Sequence, residues 1–268
     1  MRKHPVLCYY ALACGISWLG WAPLVAGSRG IAAFQSPFFQ FLLLLPAVGP
    51  ALAAVIVTAS TRGGAGVRDL WAAFLRRGVG VIWYALAVLG PIVILAIAAA
   101  GTSVAEGEPA GVGVSAGNLW PALISTLVVS LLSNPFEEVG WRGFALPRLQ
   151  ERYDAAVAAL MVGVLWGVWH LPLFLWRGNP MADYPFVPWL AGLLALSFIY
   201  TWLYNSARGS LAVGALFHVA LNTAGPLFPE ASPAGLATVY CLIALVLVLV
   251  VGPAHLSHRE RVRIAGRI

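Results

Sequence analysis

The sequence predicts an all-α polytopic bundle of about eight transmembrane helices, read as one integral-membrane domain over residues 1–268. Three observations predict it. Of the 268 residues, 60% are hydrophobic and only 10% charged, with a mean hydropathy of +0.85, whereas a soluble domain is about 25% charged. The apolar residues gather into stretches near 7–27, 38–60, 80–100, 118–136, 155–176, 186–204, 210–228 and 234–255. Each has about 20 residues, enough to cross a hydrocarbon core of about 30 Å at about 1.5 Å per residue. The basic residues then alternate as the positive-inside rule expects. Arg2, Lys3, Arg62, Arg68, Arg76, Arg77, Arg142, Arg148, Arg152, Arg208, Arg259, Arg261, Arg263 and Arg267 fall on one side, and only Arg29 and Arg177 on the other. That split predicts a multi-pass protein of the cell membrane with both termini cytoplasmic and external loops near 102–116 and 177–185. The net charge of +6 is thus a topology signal, and no nucleic-acid partner is expected.

The first stretch could serve as a signal peptide, with Arg2-Lys3 ahead of it and Val25-Ala26-Gly27 as a cleavage site. It is long for that purpose, and the charge alternation requires it as a span. Between the second and third stretches, Val67, Leu70, Trp71, Phe74 and Leu75 recur at helical spacing among arginines. This segment reads either as an interfacial helix on the inner leaflet or as a basic stop-transfer flank. Residues 101–117 are rich in Gly, Ala, Ser and Glu and read as an external loop. Gly113-Val114-Ser115-Ala116-Gly117 matches G-x-S-x-G in form, but that motif needs a strand before it and a helix after it. The fifth stretch carries Ala155, Ala159, Gly163 and Gly167 at four-residue spacing, a stripe that lets another helix approach closely. Cys8, Cys14 and Cys241 lie inside stretches and read as packing residues.

Chemistry concentrates where the apolar pattern breaks. Glu137 and Glu138 directly follow the run 119–132, and a charge at membrane depth costs about 2.5–3.5 kcal/mol on insertion scales. Glu138 and Arg142 are four apart, so their side chains meet on one helix face. Glu137 lies about 100° round the helix and is left for another partner. His170 interrupts the fifth stretch, and His218 and Asn222 share a face of the seventh. Together these groups offer a general base, oxyanion donors and enough ligands for a metal.

Glu137-Glu138-x-x-x-Arg142, an aromatic residue four before His170, and His218-x-x-x-Asn222 resemble the three motifs of the CAAX-prenyl-protease and bacteriocin-processing family. That family includes the Ras-converting endopeptidases and bacterial Abi-type proteins. Gly143-Phe144-Ala145-Leu146-x-x-Leu149-Gln150 is also similar to it, and the resemblance covers about 118–225. One departure is that Trp166 stands where the family usually has Phe. The resemblance implies an intramembrane endopeptidase, with catalytic motifs within 118–225, that acts on a membrane-associated peptide or lipidated protein. It makes Glu137 the activator of water, assisted by His170, and His218 and Asn222 the oxyanion donors. Glu138 with Arg142 would orient the site, and Trp166 would support it. A divalent metal such as zinc, held by Glu137, His170 and His218, is one reasonable arrangement; a metal-free mechanism with Glu137 as base is another. The competing reading is a non-enzymatic membrane scaffold or bacteriocin-immunity protein of the same fold. A proton-coupled transporter is disfavoured because no internal repeat is visible.

Overall fold

A computed structural model describes residues 1–107 and 116–264. Among these the chain is all-α, without strands. The helices are α1 (Pro5–Ser28), α2 (Leu44–Ala72), α3 (Val81–Glu106), α4 (Ala116–Glu138), α5 (Leu146–Leu149), α6 (Ala155–Trp169), α7 (Leu171–Leu175), α8 (Phe186–Ser206), α9 (Leu211–Ala224) and α10 (Pro233–Val251). Seven helical segments are long and apolar enough to cross a membrane, and Leu211–Leu227 is a shorter apolar eighth. The count from the sequence therefore holds, with the eighth crossing resting on a short helix.

Boundaries differ most where they bear on the site. The stretch ending near 136 becomes a continuous segment of 32 residues, Asn118–Leu149. Pro135 does not end it; α4 passes through Pro121 and Pro135 into a π-helix, Val139–Ala145, and then into α5. Prolines persist in membrane helices when neighbouring groups satisfy the freed backbone. Arg142, counted above among the loop charges, is therefore only 1% exposed inside this segment. Likewise α2 runs on to Ala72, but Gly63 breaks it with φ 66° and ψ −165°. That backbone suits glycine, and it turns residues 64–72 into a separate leg. Leu70 and Ala73 of this leg and its short extension are buried, so this face packs on protein. Of the residues expected as a loop over 101–117, those up to Glu106 belong to α3 and Ala116 and Gly117 to α4, while 108–115, including Gly113 to Ser115 of the G-x-S-x-G match, lie outside the described residues.

Close approach is set by small residues. A Cβ on Gly163 would lie 3.1 Å from Ser197 Cβ and 3.2 Å from Leu194 Cα, and one on Gly167 would lie 2.8 Å from Leu190 Cδ1. The stripe on α6 is thus the seat of α8, and Ser197 donates to the Ala159 carbonyl at 2.8 Å. At the other end of the chain order, α1 packs along α2, with Tyr9 and Trp21 in the core.

Contacts sort the connections into two ends. At one end, Ser60 donates to Met1 Sδ, Arg76 to the Arg208 carbonyl, and Gln150 to the Val262 carbonyl. At the other, Arg29 donates to the Leu175 carbonyl, the Arg177 backbone to Ser28, and Thr102 meets Ser232. The segments before α1 and after α10 share an end, as an even number of crossings requires.

Candidate active site

Helical geometry first brings the depths into register. Glu137 lies 12 residues before Leu149, the end of its segment, or about 18 Å along the axis. His170 lies 15 residues after Ala155, about 22 Å along α6. Because the two segments are antiparallel neighbours joined by a short turn, both groups fall at similar depth. Passage of the helix beyond Pro135 makes this meeting possible.

Glu138 is fully buried and accepts two bonds on one oxygen, Oε1: from Arg142 Nη1 at 2.9 Å and with His218 Nδ1 at 2.9 Å. Its Oε2 has no partner among the described residues, and it faces α9, where a Cβ on Gly214 would lie only 3.3 Å away. Gly214 therefore lets α9 bring His218 against α4. The Arg142 guanidinium is held over the Tyr200 ring at 3.9 Å and the Trp166 ring at 4.6 Å. Cation–π contact of this kind is worth about 2 kcal/mol when desolvated, and it supports a guanidinium whose Nε and Nη2 are otherwise unpartnered.

Glu137 stands outside that cluster, as the 100° offset predicts. It is 7% exposed. Its Oε2 accepts from Trp166 Nε1 at 3.0 Å and Trp141 Nε1 at 3.4 Å, and its Oε1 takes no bond from the described protein. Trp166 is the hub. Its indole bonds Glu137, covers Arg142, and stands edge-on to His218 with ring centroids 5.6 Å apart; its ring lies 5.7 Å from that of His170. A phenylalanine there would keep the ring contacts and lose the bond to Glu137.

His170 is half-buried at the end of α6, with Nδ1 bonded to the Trp166 carbonyl at 2.8 Å. That bond orients the imidazole and leaves Nε2 available. His218 is buried, whereas Asn222, one turn on, is exposed and its side chain makes no hydrogen bond among the described residues. Thus the structure joins Glu138, Arg142 and His218 directly and links Glu137 to them through Trp166. It does not bond His170 or Asn222 to Glu137.

Among the described residues no group of three or more His, Cys, Asp or Glu side chains could hold an ion. Glu137, His170 and His218 each lie against the Trp166 indole. The chemistry below runs through side chains and water.

Two members of this site are absent from the sequence motifs. Trp141 is four residues after Glu137, so its bond follows the same spacing rule as Glu138–Arg142. Tyr200 carries no signal in sequence; α8 places it under Arg142. The π-helix immediately after the two glutamates is also unforeseen, and such widened turns recur at functional sites.

The family description "Type II CAAX prenyl endopeptidase Rce1-like" matches residues 118–224, which contain every one of these groups. Through this region the chain is similar to the CAAX protease family. A curated relative from Methanococcus maripaludis, "CAAX prenyl protease 2", is 30% identical over 105 residues. The match covers 37% of this chain and 39% of that relative. The matched region holds most of α4, the π-helix, α6, α8 and α9, the elements that carry the site; α1 to α3 and α10 lie outside it.

Proposed function

We propose that this protein is an endopeptidase that hydrolyses a peptide bond of a membrane-associated substrate, with Glu137 as the base that activates water. The observation that carries this reading is the division of labour between adjacent carboxylates. Glu138 is committed to Arg142 and His218, while Glu137 is fixed through Oε2 by two indoles and keeps Oε1 for a water. A side chain fixed in orientation but unpaired with a cation suits proton transfer.

In this mechanism Glu137 takes a proton from water as the oxygen attacks the scissile carbonyl carbon. His170, with Nδ1 held by the Trp166 carbonyl, presents Nε2 to help position that water. The oxyanion is met by His218 and Asn222. Because His218 uses Nδ1 on Glu138, an Nε2–H donor requires the imidazolium, whose counter-charge is Glu138. The proton held by Glu137 then passes to the leaving amine, and the products are a carboxylate and an amine. A prenylated substrate is the class named in the relatives' descriptions.

A second reading, a membrane scaffold or bacteriocin-immunity protein of the same fold, is favoured by one observation: Asn222 is exposed and one turn away from the buried cluster. One experiment separates the two. Turnover of fluorogenic peptides, including a farnesylated one, is measured with purified protein in liposomes. Glu137→Gln is expected to abolish cleavage while the protein still folds, since the volume is kept and the amide cannot take the proton. Asn222→Ala is expected to lose about 3–4 kcal/mol of transition-state stabilisation. Wild-type turnover by Glu137→Gln would sink the assignment, and binding without turnover by the wild type would establish the scaffold.

A further inference from the structure

Away from Glu137, a cavity of about 60 Å³ lies where the leg after Gly63, the π-helix and α5, the end of α8 and the segment after α10 meet. Arg62, Arg76, Arg148 and Arg263 line it together with Tyr204, and Asp69 is the only carboxylate among the described lining residues. Asp69 answers Arg62, at 3.1 Å. The other three arginines have no carboxylate within ion-pair distance among the described residues. Arg148 is half-buried, donates to the Phe144 carbonyl at 2.9 Å and sits over the Phe144 ring. Arg76 donates to the Arg208 carbonyl at 3.0 Å. The Arg263 side chain makes no hydrogen bond among the described residues.

This convergence is built rather than incidental. Gln150 and Asn205 are buried and bonded to each other, and together they clamp the chain after α10. Gln150 donates to the Val262 carbonyl at 2.7 Å, Asn205 accepts from the Val262 amide at 3.0 Å, and Glu151 accepts from the Ile264 amide at 2.9 Å. Arg263 lies between the two pinned residues, so its backbone is delivered to the cavity rim. Guanidiniums on fixed backbones lose little freedom when they grip an oxyanion.

We propose that this cavity binds a phosphate group, carried by an anionic phospholipid headgroup or free in solution. Among the described residues four guanidiniums and one carboxylate line the cavity, with Glu151 acting on Arg148 from beside it, and the net positive charge favours a multiply charged anion. The volume holds about four water-sized atoms, the scale of one tetrahedral oxyanion. Guanidinium forks match phosphate oxygens pairwise. The site also lies at the ends of the segments closing at Leu149 and Ser206, the level at which headgroups sit, and basic pockets between membrane helices take such headgroups.

The test uses the purified full chain in nanodiscs of phosphatidylcholine with and without phosphatidic acid, read by native mass spectrometry. A parallel arm measures the thermal shift given by inorganic phosphate in neutral detergent. Variants are Arg148→Gln, Arg263→Gln and, as a control for net charge at the opposite end, Arg177→Gln. Wild type and Arg177→Gln should retain phosphatidic acid, and each cavity variant about tenfold less, the scale of one charge-assisted bond lost. Arg263→Gln breaks no side-chain hydrogen bond or ion pair among the described residues, and an unchanged melting temperature without phosphate shows that its effect is not misfolding. A phosphate-induced shift lost in Arg263→Gln, without selective lipid retention, makes free phosphate the ligand. Equal lipid retention and equal phosphate response in wild type and Arg263→Gln overturn the proposal.

Discussion

Two adjacent buried carboxylates repel unless each has partners of its own, and the partners decide what each can do. Glu138 holds a cation and an imidazole through one oxygen, and Arg142 answers it from within a cage of Trp166 and Tyr200. Removing one member of such a pair leaves an uncompensated charge, costing about 3–5 kcal/mol. Arg142→Ala should therefore lower the melting temperature sharply. Adding Glu138→Gln should recover part of the loss, because the amide carries no charge and its oxygen still accepts from His218 Nδ1–H. A double variant no more stable than Arg142→Ala alone would show that charge is not the cause. The pair was legible in the sequence because i to i+4 spacing survives translation into structure directly. The Glu138–His218 bond was not, since it joins residues 80 apart and depends on how closely α9 approaches α4. Sequence spacing left Glu137 free to face His170 and His218; the fold instead interposes Trp166.

At the scale of the helix, that approach depends on a missing side chain. A Cβ at Gly214 would come within 3.3 Å of Glu138 Oε2, and Glu138 cannot easily retreat because Oε1 is held by two partners. Gly214→Ala should cost about 1–3 kcal/mol through overpacking, read as a lower melting temperature. Gly225→Ala, where nothing lies within 4 Å, should leave it unchanged; equal loss in both would place the cost in helix ends rather than in the α4–α9 contact. The apolar pattern located the long apolar segments, because burial in lipid demands about 20 apolar residues. It failed at the end of the fourth segment. There polar Ser133, Asn134, Glu137 and Glu138 flank Pro135 and mimic a loop, although Asn134, Glu137 and Glu138 are buried against protein. Hydropathy records affinity for lipid and is blind to polar groups that other helices satisfy. A π-helix is likewise invisible to it, since widening a turn changes no residue.

For the whole molecule, the contacts divide the chain into two ends, and the arginine distribution predicts which end faces the cytoplasm. Arg62, Arg76, Arg148 and Arg263 gather around one cavity, while Arg29 and Arg177 lie at the end where Ser28 and the Arg177 amide bond. Lys and Arg accumulate on the cytoplasmic side during insertion, so the end holding the four-arginine cavity should be cytoplasmic. Single cysteines introduced in a cysteine-free background at Lys3 and His258 should react with a membrane-impermeant maleimide only after cells are opened. Cysteines at Arg177 or Asp183 should react in intact cells. The same bundle with labelling at His258 from outside would invert the orientation. Glu137 lies on the segment that ends beside that cavity, so inversion would also move the approach to the proposed site to the other side of the membrane. A substrate peptide sealed inside liposomes with the protein inserted in one orientation then gives an independent reading of the same question. Cleavage should occur only when the substrate shares the compartment of the arginine-rich end.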